Sequence, residues 1–249
     1  MIGAGLEAAS PYEAVSTEYE HGRPAYAPAA IAHVIDELGL DRESAVLDLG
    51  AGTGKLTSML VARGLRVTAV EPSPAMLARL RASVPEAHAL AGTAESIPLA
   101  SESVDAVTAA QAFHWFDAEK ALAEAHRVLR PGGGIALLWN RRDPGDPVQA
   151  LLEGLTDPPE RTTPRGWKLD VPALVASIGA FGPVSSSEFG HVQPTDENRL
   201  MSRLRSSSFV AGLPSDRREA LEQRLAAGLE RLGPVTRIAY TTIVYVARR

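Results

Sequence analysis

Val46–Thr57, which reads VLDLGAGTGKLT, is the stretch that decides the fold of this chain. It begins with a short apolar run, which is typical of a strand buried on both faces. Three glycines follow at alternate positions, and Leu56, Leu60 and Val61 then form one helical stripe. A strand, a glycine turn and a helix together present free backbone N–H groups and a positive helix end to a ligand. The stretch therefore predicts a ligand-binding turn, with an ordinary tight turn as the alternative.

The composition excludes several classes of protein. A formal charge of −5 argues against a general nucleic-acid binder, since such proteins carry a basic surface. The absence of cysteine excludes disulfides, thiolate zinc sites and a cysteine nucleophile, and it is compatible with a reducing cytoplasm. Met1–Ser10 lack the pattern of a signal peptide, and no run approaches the roughly 20 apolar residues that span a bilayer. We expect a cytoplasmic protein with no metal, no nucleic-acid partner and no membrane partner.

Strands and helices alternate along the first part of the chain at spacings typical of βαβ units. This alternation predicts an α/β fold with a doubly wound, mostly parallel sheet. The five expected strands are residues 44–49, 65–70, 87–91, 104–109 and 135–139. We expect Pro131–Gly134 to form a broad turn before the fifth strand, because it is a proline followed by three glycines.

The pattern becomes looser after Asn140. Helical stripes recur at residues 148–155, 171–178, 198–205 and 215–232, and strand candidates lie at 184–191 and 237–247. The last segment alternates with a period of two, which suits an antiparallel strand near one edge of the sheet. We expect one domain, with an N-terminal arm and helix at 1–40, a cofactor-binding core at 44–140, cap helices and the penultimate strand at 141–236, and the final strand at 237–249.

Three kinds of ligand compete for the glycine turn. A nucleotide triphosphate loop fails, because Leu49 replaces its first glycine and Leu56 follows the lysine. A dinucleotide fingerprint needs a glycine where this chain has Lys55. S-adenosylmethionine (SAM) remains: Asp48 would repel a pyrophosphate but suits the ammonium group of the SAM tail, directly or through water. Glu71 ends the second strand about 20 residues after the turn, where a carboxylate can accept both ribose hydroxyls.

Taken together, these motifs resemble the ordered motif set of class I SAM-dependent methyltransferases. The segments that carry the resemblance are Val46–Gly54, Ala69–Met76, Gly92–Glu95, Asp105–Trp115 and Leu129–Gly133. Glu71–Leu77 is similar to the subgroup that acts on small molecules. Gln111–Phe116 and the early Tyr19–Tyr26 resemble the branch related to trans-aconitate methyltransferases. The resemblance implies a Rossmann-like sheet of seven strands, the last of them antiparallel, with an inserted helical cap.

The resemblance also implies SAM as cofactor, S-adenosyl-L-homocysteine (SAH) as product, and a role for each matching residue. The methionine moiety is expected near the glycine turn, the ribose at Glu71, the adenine near Pro72 and after the third strand, and the tail near the loop after strand four. Many relatives have Asp where this chain has Thr93, which leaves open whether Thr93 or Glu95 binds the adenine amine. The implied cofactor-binding residues are Arg23, Asp48, Gly50, Gly52, Glu71, Pro72, Met76, Thr93, Ala94, Glu95, Gln111 and Ala112.

The acceptor side has fewer candidates. Methyl transfer needs an in-line approach and exclusion of water, and an oxygen or nitrogen acceptor that loses a proton also needs a base. His114 is the first candidate base and His21 the second, with a packing histidine as the alternative. The candidate acceptor contacts are Trp115, Trp139, Arg141 and Arg142, with core tryptophans and a solvated loop as the alternatives.

We therefore expect a methyltransferase that acts on an oxygen, a nitrogen or a carboxylate oxygen of a small molecule. Two alternatives stay open: a SAM-binding enzyme that catalyses another reaction, and a non-catalytic protein that binds a partner on the same scaffold.

Overall fold

The computed structural model describes residues 22–143, 145–156 and 169–249. Helices and strands alternate along them as α1 Pro28–Leu38, β1 Ala45–Leu49, α2 Lys55–Val61, β2 Arg66–Glu71, α3 Pro74–Ser83, β3 His88–Ala91, β4 Val104–Ala110, α4 Ala118–Val128, β5 Leu129–Arg142, α5 Pro147–Thr156, α6 Val171–Ile178, β6 Ser185–Pro194, α7 Glu197–Arg205, α8 Ser208–Ala211, α9 Ser215–Leu232 and β7 Arg237–Arg248. A 3₁₀ turn, Phe113–Trp115, lies between β4 and α4.

One sheet of seven strands, in the order β3-β2-β1-β4-β5-β7-β6, organises the molecule. β7 runs antiparallel to both of its neighbours, and the other six strands are parallel to one another. The predicted Rossmann-like sheet with an antiparallel last strand is therefore confirmed. The strand order reverses between β1 and β4, and in such sheets ligands bind beyond the carboxyl ends of the strands at this reversal.

Helices cover both faces of the sheet, as expected for strands that are apolar on both sides. Leu47, Val107 and Leu137 pack against α4 and α6 on one face. Val46 and Leu138 pack against α1 and α2 on the other. A third apolar cluster joins α5, α7 and α9 to the start of β7, and this cluster forms the cap.

The expected turn at Pro131–Gly134 is instead a bulge inside β5, and that prediction is corrected. The β4–β5 register passes from Val104 opposite Leu129 to Ala106 opposite Gly134, so the intervening residues of β5 leave the regular ladder. Glycine is needed at Gly133, because a Cβ there would lie 2.6 Å from the carbonyl oxygen of Asp105. The strand therefore continues through a segment whose composition resembles a turn.

The segment before α1 crosses the sheet near the ends of β5, β7 and β6. The carbonyl of Ala25 accepts hydrogen bonds from Asn140 Nδ2 at 2.9 Å, Gln193 Nε2 at 2.9 Å and His191 Nε2 at 3.1 Å. Thr242 Oγ1 accepts the N–H of Ala27 at 2.9 Å and donates to Asn140 Oδ1 at 2.6 Å. This segment is therefore attached to three strands at once. His21 lies outside the described residues.

Candidate cofactor and acceptor site

The glycine turn lies at the reversal of strand order and needs its glycines for two different reasons. Gly50, Gly52 and Gly54 all have positive φ, at 67°, 59° and 91°, a region that disfavours residues with a Cβ. A Cβ at Gly50 would lie 2.7 Å from the Cβ of Ala112, so this glycine lets the turn pack against the loop after β4. At Gly52 the nearest atom is Met76 Sδ, 3.9 Å away, so a side chain would project into open space. The turn therefore offers a concave backbone surface that a Cβ would fill.

Glu71 stands beside this turn and is held rigidly. Its Oε2 accepts the N–H of Gly52 at 2.8 Å, and its Oε1 accepts the N–H of Ser73 at 2.9 Å. The side chain is 6% exposed. Burial raises its pKa, and the hydrogen bonds from Ser73 and Gly52 partly offset that effect. Because a carboxylate has about four lone-pair positions, each oxygen keeps one for a further donor. Pro72 next to it is exposed, and Met76 is buried beneath the turn.

Asp48 lies under the turn and is nearly inaccessible, with 1% of its surface exposed. Its Oδ2 accepts the hydroxyl of Thr57 at 2.6 Å, and its Oδ1 lies 3.4 Å from Thr108 Oγ1. Burial raises the pKa of Asp48 to about 6, although these two hydrogen bonds act in the opposite direction. The carboxylate thus joins the first turn of α2 to β4 under the glycines. Its contact with a SAM tail stays a prediction.

The residues after β3 form a short turn. Thr93 pairs with Ser96 in an isolated bridge and is half-buried, while Ala94 is buried in the core. Glu95 Oε1 accepts the N–H of Asp117, the N-cap of α4, at 2.9 Å. This hydrogen bond gives Glu95 a structural role at the start of α4, and which of Thr93 and Glu95 contacts an adenine stays a prediction.

The loop after β4 contains a strained residue. Gln111 has a φ of 56°, a left-handed conformation that is uncommon for a residue with a side chain. Its N–H donates to the carbonyl of Leu138 at 2.9 Å, and its Nε2 donates to the carbonyl of Asn140 at 3.2 Å. The conformation directs the chain from β4 over the end of β5. Ala112, next in sequence, is buried against Gly50.

The aromatic residues of this loop separate into a buried and an exposed group. Trp139 has no exposed surface, and its ring contacts Tyr245 in the core, so stacking on an acceptor would require neighbouring residues to move. Trp115 is 49% exposed. His114 lies between them: its Nδ1 accepts the indole N–H of Trp139 at 3.5 Å, and its ring lies 5.1 Å from that of Trp115. The two tryptophans could not be distinguished from the sequence, because the direction in which Trp139 projects depends on how β5 packs within the sheet.

The candidate arginines also differ in their surroundings. Arg141 forms an ion pair with Glu188 at 2.7 Å near the surface. Arg142 Nη2 donates to Thr156 Oγ1 at 2.8 Å. Burial, followed by the charge of Arg203, lowers the pKa of Arg142 to about 9. Arg23, expected to pair with the SAM tail, donates from Nη2 to the carbonyl of Ser206 at 2.9 Å, at the end of α7.

Sequence reasoning singled out neither Arg203 nor His191. No local motif marks either residue, because strand register and the docking of α7 bring them to this region.

Within residues 22–143, 145–156 and 169–249, no group of three or more histidine and acidic side chains is arranged to hold a metal ion. None of the helices in the same ranges combines the length and apolar character that crossing a membrane requires.

Comparison with known proteins identifies the family. The methyltransferase domain family matches residues 47–137. An uncharacterized methyltransferase of Schizosaccharomyces pombe is 43% identical over 216 residues, which cover 84% of this chain and 82% of that protein. An uncharacterized methyltransferase of Mycobacterium tuberculosis is 57% identical over 125 residues, which cover 50% of each chain. The chain therefore spans about half the length of that mycobacterial relative.

A similar fold is found among solved structures. A protein of Anabaena variabilis, described as a candidate methyltransferase from an antibiotic biosynthesis pathway, superposes with a TM-score of 0.64 at 24% identity. The match covers 90% of this chain and 98% of that one. At this identity the similarity concerns the fold alone.

The seven-stranded sheet with its glycine turn is the fold of class I SAM-dependent methyltransferases. The extent of the match to the S. pombe relative places the chain in the methyltransferase family. The prediction of class is thereby confirmed, and the assignment to the branch related to trans-aconitate methyltransferases stays a prediction.

Proposed function

We propose that this protein transfers a methyl group from SAM to an oxygen, a nitrogen or a carboxylate oxygen of a small molecule. The observation that carries the proposal is the position of Glu71. The N–H groups of Gly52 and Ser73 fix both carboxylate oxygens beside the concave backbone of the turn. A carboxylate fixed in this way has one lone pair on each oxygen for the two hydroxyls of a ribose.

The described residues fit such a cofactor. The open space at Gly52 leaves room for a ligand against the backbone, and Met76 Sδ lies 3.9 Å from the position of a Cβ there. Pro72 and Thr93 remain the other expected neighbours of the adenine. The loop from Gln111 approaches the turn from the side of β4. SAM supplies a methyl group on a positively charged sulfur, which leaves the protein the tasks of orienting the acceptor and excluding water.

The geometry around His114 limits its role as a base. If Nδ1 accepts the indole N–H of Trp139, the neutral imidazole carries its proton on Nε2. The unprotonated nitrogen then points into the protein, and Nε2 can donate but cannot accept. His114 in this tautomer orients an acceptor by a hydrogen bond. An acceptor that is already ionised, such as a carboxylate, needs no base at all.

The first experiment is a calorimetric titration with SAH. We expect the wild type to bind SAH, and Glu71→Ala to weaken binding by about a hundredfold or more, because each of the two ribose hydrogen bonds to the charged group contributes about 1.5–3 kcal/mol. Glu86→Ala is the control, since Glu86 is exposed in the turn before β3. Circular dichroism would verify that the variants are folded. Failure of the wild type to bind SAH, or tight binding of NAD instead, would overturn the proposal.

A second measurement separates the two remaining alternatives. Transfer of labelled methyl from SAM to a panel of small metabolites should label at least one acceptor, and Glu71→Ala should reduce that labelling. SAH binding without any transfer would favour the non-catalytic protein or an enzyme with another reaction. The panel therefore tests the transfer reaction itself, which calorimetry with SAH does not report.

A further inference from the structure

The loop after β4 begins where the β4–β5 ladder ends. Ala110 pairs with Leu138 in the last rung, and the N–H of Gln111 donates to the carbonyl of Leu138 at 2.9 Å. In a parallel ladder every second residue of a strand donates to the same neighbour. The next donor to β5 would therefore be the N–H of Phe113, and its acceptor would be the carbonyl of Asn140. The chain leaves the sheet before that point, because Gln111 has a φ of 56°.

The side chain of Gln111 takes the place of this missing backbone donor. Its Nε2 donates to the carbonyl of Asn140 at 3.2 Å. Gln111 thus makes two consecutive hydrogen bonds to β5, one from its backbone and one from its side chain. A left-handed conformation is unfavourable for a residue with a Cβ, whereas glycine adopts it readily. The amide bond to Asn140 is an interaction that glycine would lack, and it holds the strained residue in place.

The carbonyl that Gln111 binds belongs to a residue that is itself fixed. Asn140 is 5% exposed. Its Nδ2 donates to the carbonyl of Ala25 at 2.9 Å, and its Oδ1 accepts the hydroxyl of Thr242 at 2.6 Å. That hydroxyl has one proton, and its oxygen already accepts the N–H of Ala27, so a single orientation of the Asn140 amide satisfies every group. Gln111 is therefore attached to a rigid part of the sheet.

The conformation of Gln111 determines how the loop meets the glycine turn. A Cβ at Gly50 would lie 2.7 Å from the Cβ of Ala112 and 3.0 Å from Cζ of Phe116, so loop and turn are in direct contact. A rotation about the backbone of Gln111 would move Ala112 relative to Gly50. The SAM tail is expected at this junction, and the backbone angles of Gln111 therefore set the geometry of the place that receives it.

We propose that the side chain of Gln111 is a positioning group, which holds the loop after β4 in the geometry that receives the SAM tail before the cofactor arrives. This inference rests on the proposed function and deepens it. The resemblance implies only a backbone contact at Gln111, and the amide bond to Asn140 adds a role for the side chain. The cost of the left-handed conformation is met when the protein folds, so binding of the cofactor need not order the loop.

The test compares SAH affinity in calorimetric titrations of the full chain, for the wild type and three variants at one position. Gln111→Met keeps the length of the side chain but removes its donor. Gln111→Ala removes the side chain beyond Cβ, and Gln111→Gly removes the conformational strain as well. We expect each variant to bind SAH about tenfold more weakly or worse, because the loop is no longer held. In urea, Gln111→Gly should unfold at a higher midpoint than Gln111→Ala, since glycine tolerates a positive φ.

The two measurements separate positioning from stability. If the side chain only stabilised the fold, SAH affinity would follow the urea midpoint, and Gln111→Gly would bind SAH more tightly than Gln111→Ala. If the side chain positions the loop, Gln111→Gly is the more stable of the two variants but binds SAH no more tightly.

Gln193→Met is the matched control. Gln193 of β6 also donates from Nε2 to a backbone carbonyl, that of Ala25 at 2.9 Å, so the substitution removes the same kind of hydrogen bond away from the loop. Its SAH affinity should stay within about twofold of the wild type, well below the effect of one lost hydrogen bond in the site. Hydrogen exchange of residues 111–116 without SAH is the second measurement. Exchange should be faster in Gln111→Met and unchanged in Gln193→Met.

Each outcome decides the proposal. Weaker SAH binding in all three variants at position 111, with faster exchange of the loop in Gln111→Met, supports it. Unchanged SAH affinity or unchanged loop exchange in Gln111→Met, wild-type affinity in Gln111→Gly, or an equal loss in Gln193→Met overturns it. Circular dichroism identifies a variant that does not fold, and the other variants at position 111 then decide. A wild type that binds no SAH would overturn the proposed function and this inference together, whereas equal binding by the wild type and Gln111→Met would overturn the inference alone.

Discussion

Replacement of Asp48 by asparagine should change how the stability of the protein depends on pH. The carboxyl group is 1% exposed, and burial raises its pKa from 3.8 to about 6. The folded state therefore holds this proton more tightly than the unfolded state does. Stability from this group is fully present below the unfolded pKa and is lost as pH rises to about 6. At one pKa unit per 1.36 kcal/mol, a shift of roughly two units corresponds to about 3 kcal/mol.

The asparagine side chain fits the same position without the charge. Its amide oxygen can accept from Thr57. Thr108 Oγ1 lies 3.2 Å from the carbonyl of Leu47 and can donate to it, so it can accept from the new amide. Urea unfolding of both proteins from pH 4 to pH 8 should show the variant gaining about 3 kcal/mol relative to the wild type, mostly between pH 4 and pH 6. Comparing the two proteins at each pH cancels the titration of all other groups.

Asp105 provides a control of opposite sign. Burial alone would raise its pKa, but hydrogen bonds from Arg130 and the N–H of Ala45 lower it. Its contribution is present above the unfolded pKa and is lost as pH falls through the folded one. The free energies of unfolding of Asp105→Asn and the wild type should therefore differ less at low pH than at neutral pH. A stability difference for Asp48→Asn that does not change with pH would refute the reasoning on burial.

Three further predictions concern the turn, the N-terminal segment and the loop. Gly52→Ala should weaken SAH binding at least tenfold in calorimetry, because the new Cβ would fill the concave backbone surface of the turn and the residue has a φ of 59°. Unchanged affinity would contradict a ligand at this surface. Thr242→Val should lower the free energy of unfolding by about 2–4 kcal/mol in urea, because two buried polar groups lose a partner, whereas the half-buried Thr241→Val should cost far less. His114→Ala should lower acceptor affinity more than turnover in steady-state kinetics, and loss of turnover alone would favour a base.

The local pattern was sufficient to predict the elements near the glycine turn. An apolar run, three alternating glycines and a helical stripe are all encoded within Val46–Val61, so β1, the turn and α2 follow from neighbouring residues. Local residues also start α3 and α4, because the side chains of Ser73 and Asp117 accept the N–H groups of Met76 and Lys120. The period of two in Arg237–Ala247 likewise predicted β7, because alternation depends on one strand only.

Features that depend on distant contacts could not be predicted in this way. Pro131–Gly134 has the composition of a turn, yet Asp105 on the neighbouring strand holds it as a bulge, through Arg130 Nη1 at 2.7 Å. Trp115 and Trp139 look equivalent in sequence, but only the second points into the core. Arg142 and Tyr240 are about a hundred positions apart, and only their register places them side by side.

The position of β7 in the sheet affects the order in which the two halves of the site are formed and lost. These are the cofactor half around the glycine turn and the acceptor half at the ends of β5, β7 and β6. β7 is the last strand in the described chain, yet it separates β5 from β6 and is the strand through which β6 joins the sheet. It carries Tyr240, whose ring stacks on that of His191, and Thr242, which holds the segment before α1.

Release of β7 would therefore remove β6 and the attachment of the N-terminal segment together, while β1, β2 and β4 around the glycine turn remain paired. In hydrogen exchange, the two halves of the site should behave as separate cooperative units, and the acceptor half should open at lower free energy. A protein built in this way can keep its hold on the cofactor while its acceptor side rearranges.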